Sequence, residues 1–416
     1  MAYLNAFFCS LLLATSFILS GCGAKKDKNT QTDMEYKPGT FGYDLQWLSQ
    51  HKEVIVLKSK DGKAQVAVCP SYQGRVMTST SNGGSGYSFG WLNHELIASG
   101  KVLDHFNPIG GEERFWLGPE GGQFSIFFKP GSSFDFDNWY VPKQIDTEPF
   151  NTISTSSSEV VFEKDMELEN YSKTIFKMGV KRAVRILDGK RASKLLNVDI
   201  PESLNWVGFE TENTLTNKGS NAWDKASGMP SIWILSMLNP SPETAVIIPF
   251  KKGEEAELGK KVTDDYFGKV PADRLIVKEG VLFFKADGKK RSKIGISPKR
   301  ALPIAGSYDA TNGVLTIAQF TVSGNTTDYV NSLWEIQDET FAGDAVNAYN
   351  DGPLEDGSQL GPFYEIESSS PAAALAPGGQ LVHVHRTYHF KGAKSDLNKL
   401  SATLLGVELD EVLSAL

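Results

Sequence analysis

From residue 53 onward the chain is a succession of short segments rich in β-branched and aromatic residues. Gly, Pro, Asn, Asp and Ser separate these segments, and the 39 glycines indicate many turns. The segments typical of strands are VIVLK, AQVAV, GRVMTST, FSIFF, EVVFE, VKRAVRIL, SIWILSML, TAVIIPF, VLFFK, KIGIS, VLTIAQF and LVHVHRTYHF. Because little helical periodicity lies between them, the pattern predicts an all-β fold, a large antiparallel sandwich, rather than alternating strand–helix units.

Helical periodicity occurs only near the ends of this region. In FGYDLQWLSQH, residues 41–51, Phe41, Leu45 and Leu48 share one face, which predicts a short N-terminal helix. SDLNKLSATLL and LDEVLSAL place leucines at helical spacing and predict a C-terminal helical appendage, residues 391–416, packed outside the sheets. The β-sandwich domain is therefore predicted to span residues 41–390.

The N-terminus has a different composition. Residues 7–19, FFCSLLLATSFIL, are nearly all apolar and too short to span a bilayer comfortably. They lead into Leu-Ser-Gly-Cys, ending at Cys22, which resembles the lipobox of bacterial lipoproteins. That resemblance implies a signal peptide at residues 1–21, acylation of Cys22, and a polar tether that runs to residue 40. We expect a lipoprotein of a Gram-negative envelope, in the outer membrane.

Charge restricts the possible partners. The formal net charge of −8 argues against a nucleic-acid-binding protein, which needs a basic face to displace phosphate counterions. One basic run, KADGKKRSKIGISPKR at residues 285–300, contains Asp-Gly between two strand-like segments. This indicates a hairpin with solvated charges; contact with an anionic lipid or an acidic glycan is the alternative.

The stretch GGEERFWLGPEGGQF, residues 110–124, combines acids, an arginine and aromatic rings between glycine pairs. Carbohydrates offer apolar C–H faces to aromatic rings and hydroxyl groups to carboxylates, amides and arginine, so this combination is typical of a sugar site. The alternative is that the aromatic residues pack in the core and the arginine merely neutralises a glutamate. The candidate ligand contacts are Glu112, Glu113, Arg114, Trp116, Glu120 and Gln123.

Further candidates lie towards the C-terminus. In FYEIESSS, strand alternation places Phe363, Glu365 and Glu367 on one face, and Glu365 is the candidate general base. AYNDGP has turn chemistry, and Asn350 and Asp351 are candidates to hold sugar hydroxyl groups or Ca²⁺.

Histidines supply the candidate acids. In LVHVHRTYHF, His383, His385 and His389 share one strand face. His383 and His385 are close enough to share a metal ion, and His383 or the distant His105 is a candidate acid. Hydrogen-bonded sheet histidines are the alternative. The sequence contains no nucleotide-cofactor or α/β-hydrolase motif, so no cofactor is predicted.

Three segments carry a family resemblance. GGEERFWLGPE, GFETENTLTNKG (208–219) and GPFYEIESSSPAAALAPGGQLVHVHRTYHF (361–390) resemble segments of the galactose-mutarotase-like, or aldose 1-epimerase, superfamily. FGWLNHELI and IESSSPAAAL are most similar to a family of Bacteroidetes-type lipoproteins. The resemblance implies a β-supersandwich whose concave face receives a sugar. In the epimerases a mid-chain histidine protonates the ring oxygen and a late glutamate takes the anomeric proton, yet residues 106–382 contain no histidine.

Two functions follow as hypotheses. The first is a lipid-anchored protein that recognises a carbohydrate and transforms it by acid–base chemistry, as an epimerase or a glycoside-processing enzyme. The second is a non-catalytic glycan-binding or scaffolding lipoprotein of the envelope, which the missing mid-chain histidine favours.

Overall fold

The structure, a computed structural model, describes residues 35–416. The predicted signal peptide, Cys22 and most of the tether lie outside the described residues. Within residues 35–416, no helix is long and apolar enough to cross a membrane.

Strands dominate the described residues, and seven α-helices accompany them. The strands are β1 Ile55–Lys58, β2 Gln65–Cys69, β3 Arg75–Thr80, β4 Arg114–Gly118, β5 Asn151–Thr155, β6 Glu159–Glu169, β7 Ile175–Ile186, β8 Asn205–Asn217, β9 Ser231–Leu235, β10 Thr244–Pro249, β11 Leu275–Lys278, β12 Val281–Lys285, β13 Ser292–Ile296, β14 Ile304–Asp309, β15 Val314–Phe320, β16 Val346–Asn350, β17 Tyr364–Ser369 and β18 Gln380–Lys391. The helices are α1 Phe41–His51, α2 His94–Ser99, α3 Lys143–Asp146, α4 Gly189–Leu196, α5 Glu255–Leu258, α6 Lys394–Leu404 and α7 Leu409–Ala415.

The strands of the described region form three sheets. The largest has ten strands in the order β11-β12-β10-β14-β15-β18-β8-β7-β6-β5. A second sheet has the order β13-β16-β17-β9-β4, and a small third sheet contains β1, β2 and β3. All the pairings between these strands are antiparallel. The predicted all-β antiparallel sandwich is confirmed.

The core lies between the ten-stranded and five-stranded sheets. Alternation directs one face of each strand inward, so Phe115 and Ile234 of the smaller sheet pack with Phe162 and Phe209 of the larger one. Burial of this apolar surface is the main stabilising term of such a sandwich. The opposite face of the five-stranded sheet is therefore free to line a site.

The outer face of the ten-stranded sheet is covered by helices. Tyr388 and Phe390 of β18 pack in one buried cluster with Leu397 of α6 and Leu409 of α7. The helix at residues 41–51 and the C-terminal helix pair outside the sheets are thus both present as predicted.

The hairpin predicted around Asp287-Gly288 is wrong. β12 pairs with β10 and β11 in the ten-stranded sheet, whereas β13 pairs with β16 in the five-stranded sheet. The basic run therefore crosses from one sheet to the other. Part of it comes to lie on the outer face of the five-stranded sheet, and its charges are not all solvated.

Candidate functional site

A pocket of about 1040 Å³ lies on the outer face of the five-stranded sheet. Side chains of all five strands form its floor, and loops between the strands form its walls. The wall segments include residues 103–108, 330–334 and 351–360. The volume is at the upper end of the range typical of small-molecule sites.

Strand register determines which side chains meet on the floor. Trp116 of β4 lies opposite Trp233 of β9. Glu365 of β17 lies opposite Tyr349 of β16, which in turn lies opposite Lys293 of β13. Since cross-strand neighbours on one face are in contact, the sheet places an aromatic pair at one side and a polar row at the other.

Two ion pairs organise the charges of the floor. Arg114 donates from Nη2 to Oε1 of Glu365 at 3.1 Å, and both side chains are 5% exposed. Lys293 Nζ and Trp233 Nε1 each donate to Oε2 of Glu367 at 2.9 Å. The guanidinium of Arg114 also lies 4.3 Å from the ring centroid of Trp116, a cation–π arrangement.

Glu365 has a strongly perturbed acidity. Burial raises the pKa of Glu365 to about 8, and the charge of Arg114 opposes this increase. The neighbouring carboxylate of Glu367 adds to the increase, because like charges disfavour ionisation. With its pKa raised to about 8, Glu365 exchanges its proton near neutral pH, and Arg114 stabilises its carboxylate form.

The pKa values of two further acids of the pocket are also raised. Burial raises the pKa of Asp344 to about 6, although a hydrogen bond from Tyr266 opposes the shift. Burial also raises the pKa of Glu120, against the charge of Lys293 and a hydrogen bond from Trp334. The pKa values of Glu365 and Asp344 thus lie on either side of neutrality, an arrangement typical of acid–base sites.

Several polar atoms at the pocket bond no other protein group in the described part of the chain. They include Trp116 Nε1, Trp139 Nε1 and Ser231 Oγ. A buried donor without a partner costs about 1–3 kcal/mol. Because these atoms are themselves enclosed by protein, they lie behind the pocket lining and not at its surface.

The structure brings six of the predicted site residues to this pocket. Arg114 and Trp116 lie on β4, and Glu120 follows that strand. Glu365 lies on the floor, and Asp351 and His105 lie on the walls. The Nδ1 of His105 lies 2.6 Å from the carbonyl oxygen of Trp139, and its ring stacks on Tyr140.

Glu112 and Glu113 point away from the pocket, into the space between the sheets. Glu113 Oε1 accepts a hydrogen bond from Arg182 Nη2 at 3.0 Å, and both side chains are fully buried. Glu112 Oε1 lies 2.6 Å from His389 Nε2 and accepts a bond from Ser79 at 2.7 Å. These two glutamates tie the small sheets to the large one and are not placed to contact a ligand in the pocket.

His383 and His385 also lie between the sheets. Nε2 of His383 and Nδ1 of His385 each lie 2.8 Å from the hydroxyl oxygen of Ser368 on β17. Burial lowers the pKa of both histidines to about 3. They are therefore neutral groups of the core and do not line the pocket.

Gln123 and Asn350 support the walls without lining them. Gln123 exchanges hydrogen bonds with the backbone of Gln337, at 2.7 and 3.0 Å. Asn350 accepts from the amide of Gly288 at 2.8 Å and donates to the carbonyl of Lys290 at 2.9 Å. Among residues 35–416, no group of three or more His, Cys, Asp or Glu side chains is arranged to hold a metal ion.

Sequence reasoning missed several residues of the pocket. Trp233 and Lys293 lie on the floor, and Trp334, Tyr266 and Asp344 lie around it. Alternation in SIWIL and SKIGI shows which residues share a strand face with Trp233 and with Lys293. It does not show whether that face points to the pocket or to the core. The other three lie in loops, where no periodicity predicts direction.

The fold and this pocket define the molecule as a β-sandwich protein with an aromatic, carboxyl-rich pocket on its smaller sheet. The chain belongs to a family of unknown function, DUF6786, whose model matches residues 39–416.

Similar solved structures belong to the superfamily that the sequence segments resemble. A putative aldose 1-epimerase of Escherichia coli K12 is 11% identical, with a TM-score of 0.45, and the match covers 81% of this chain and 98% of that one. A galactose mutarotase-like protein of Lactobacillus casei is 11% identical, with a TM-score of 0.47, over 81% of this chain and 100% of that one. A protein of Synechocystis sp. PCC 6803 is 11% identical, with a TM-score of 0.48, over 81% and 96%. The search of curated proteins found no match.

Proposed function

We propose that this chain binds a carbohydrate in the pocket and transforms it by acid–base chemistry in which Glu365 transfers the proton. The observation that carries the proposal is Glu365 itself, a buried carboxyl with its pKa raised to about 8 on the floor of an aromatic pocket. A carboxyl group that exchanges its proton near pH 7 is suited to protonate a ring or glycosidic oxygen.

The surroundings of Glu365 suit a sugar. Trp334 on the wall offers a flat apolar surface for the C–H face of a ring, whereas Trp116 and Trp233, 3% and 7% exposed, make the floor beneath it apolar. Arg114 orients Glu365 through the bond at 3.1 Å, so the carboxyl is held in place before a ligand arrives.

The reaction also needs a base. Glu367 accepts hydrogen bonds from Lys293 and Trp233 and is fully buried, so it does not line the pocket. Asp344 and Glu120 line the pocket and are the candidate bases; burial raises the pKa of both, to about 6 for Asp344. We assign the acid to Glu365 and leave the base to one of these two carboxylates.

A non-catalytic glycan-binding protein is the second candidate. It is favoured by the placement of His383 and His385 in the core, where they reach neither the pocket nor a sugar. The two functions predict different results for Glu365→Gln. A non-catalytic binder retains its affinity for the sugar, because its binding depends only on the shape and hydrogen bonding of the pocket.

Replacing Trp334 by alanine is expected to weaken sugar binding at least about tenfold, because loss of an aromatic anchor typically costs about 2 kcal/mol. Isothermal titration of the full chain with the best ligand from a glycan panel measures this. The matched control is Trp206→Ala, since Trp206 is also half-buried but packs near Phe390 on the opposite side of the sandwich. Equal weakening in both variants, or in neither, would place the sugar outside the pocket.

We also propose that Cys22 carries a lipid that anchors the protein to the envelope membrane; the support is the sequence preceding it. The change Cys22→Ser is expected to abolish labelling by radioactive palmitate and to release the protein from the membrane fraction. Cys9→Ser is the control, because Cys9 lies within the predicted signal peptide and its loss leaves processing intact. Continued labelling of the Cys22→Ser variant would contradict the proposal.

A further inference from the structure

One cation of the pocket lacks an acidic partner. Arg114 pairs with Glu365, and Lys293 pairs with Glu367. Arg291 lines the same pocket, yet in the part of the chain that the structure describes it forms no ion pair, and its Nε atom has no hydrogen-bond partner. Its guanidinium group lies 4.1 Å from the ring centroid of Phe267.

Asp351 lines the same pocket as Arg291, but its carboxylate is already hydrogen-bonded to other groups. Asp351 accepts a hydrogen bond from the hydroxyl of Tyr349 at 2.6 Å and another from the amide of Gly361 at 2.9 Å. Burial raises the pKa of Asp351, and Arg291 only partly opposes this. The charge of Arg291 also lowers the pKa of Glu120, but neither acid forms a direct ion pair with it.

The backbone beneath Arg291 is held firmly. Asn350 bonds the amide of Gly288 and the carbonyl of Lys290. The chain at Gly352 approaches so closely that an added β-carbon would lie 2.4 Å from the backbone nitrogen of Lys290. A guanidinium on a fixed backbone, stacked on an aromatic ring, is pre-organised for a planar anion.

The position of Arg291 defines an extended site. Arg291 directly precedes β13 at one edge of the sheet, and Trp116 lies on β4 at the other edge. Four strand spacings separate these edges, roughly 19 Å. One sugar ring does not reach across that distance, whereas an oligosaccharide does.

Resting on the proposed function, we infer that the ligand is an acidic oligosaccharide, and that Arg291 binds the carboxylate, sulfate or phosphate group of one of its sugars. Arginine recognises such groups through two parallel N–H···O bonds. The exposed Lys289 and Lys290 next to it add positive charge at this end of the pocket. Phe267, which is 46% exposed, offers a face to the sugar that bears the acid.

The test is a panel of oligosaccharides in matched pairs, presented to the full chain. Each pair joins a uronate, sulfated or phosphorylated oligomer with its neutral counterpart of the same length. We expect the acidic member of at least one pair to bind about tenfold more tightly, as a charge-assisted bond implies. That preference should fall to near unity in Arg291→Gln and should persist in Lys177→Gln, which removes an exposed cation of the ten-stranded sheet. Arg291→Lys should retain an intermediate preference, because the charge remains while the paired geometry is lost.

The outcomes are distinct. If neutral members bind as tightly as acidic ones, or if the preference persists in Arg291→Gln with an unchanged unfolding midpoint, the inference is overturned while carbohydrate binding stands. If no member of any pair binds, both the inference and the proposed function fail. The pair that shows the largest preference identifies the acidic group.

Discussion

Turnover of the sugar substrate falls by about 10²–10⁴-fold in Glu365→Gln, the loss expected when a general acid is removed. Glutamine retains the volume of the side chain and an oxygen for the bond from Arg114. The amide of glutamine, however, cannot donate a proton as a general acid. Binding is therefore expected to change by less than the rate, and a comparison of kcat with the dissociation constant separates the two.

The control for this variant is a second buried glutamate outside the pocket. Glu112→Gln alters a carboxyl that bonds Ser79 and His389 between the sheets, so its effect should appear in stability and not in kcat. If Glu365→Gln turns over substrate at the wild-type rate, Glu365 has no catalytic role and the non-catalytic binder is the better description.

The pH profile gives a separate check on the same residue. Since the pKa of Glu365 is raised to about 8, its proton is present below that pH and lost above it. The rate of an acid-catalysed step should therefore fall tenfold for each pH unit above about 8. A rate that instead rises through this range would make Glu365 the base.

Replacement of Glu113 by alanine should destabilise the fold by about 3–5 kcal/mol. Glu113 and Arg182 are both fully buried and 3.0 Å apart, so the change leaves the guanidinium charge of Arg182 without its counterion. Arg182 also donates to Asn213 Oδ1 at 2.6 Å, which holds the charge in place and prevents its escape to water. Urea unfolding followed by circular dichroism measures the loss.

Two comparisons sharpen this result. The double variant Glu113→Leu, Arg182→Met removes both charges and should recover much of the stability, as other buried pairs do. Glu167→Ala breaks an exposed pair with Lys177, at 3.7 Å, and should change the free energy of unfolding by at most about 1 kcal/mol. Should Glu113→Ala instead unfold like the wild type and bind sugar poorly, Glu113 would belong to the site after all.

The local features of the fold could be predicted from the sequence. Alternation correctly placed Glu365 and Glu367 on one face, with Tyr364 and Ile366 on the other. It also correctly placed His383, His385 and His389 together, and the helix at residues 41–51 follows from its apolar spacing.

The partners of those faces could not be predicted, because they depend on strand order between distant segments. The face of β18 that carries the histidines turns inward against Ser368, whereas the face of β17 that carries Glu365 turns outward to the pocket. Both strands show the same alternation in the sequence, so alternation alone does not tell which face points inward. Likewise Glu113 and Arg114 are neighbours, yet they point to opposite sides of one sheet and serve stability and the pocket respectively.

A crystal structure of the full chain with the tightest-binding oligosaccharide tests the central claim most directly. We predict a sugar ring in the pocket on the outer face of the five-stranded sheet, with one of its oxygens within about 3 Å of the Glu365 carboxyl. A ligand bound elsewhere on the molecule, with the outer face of the five-stranded sheet left empty, would contradict the account.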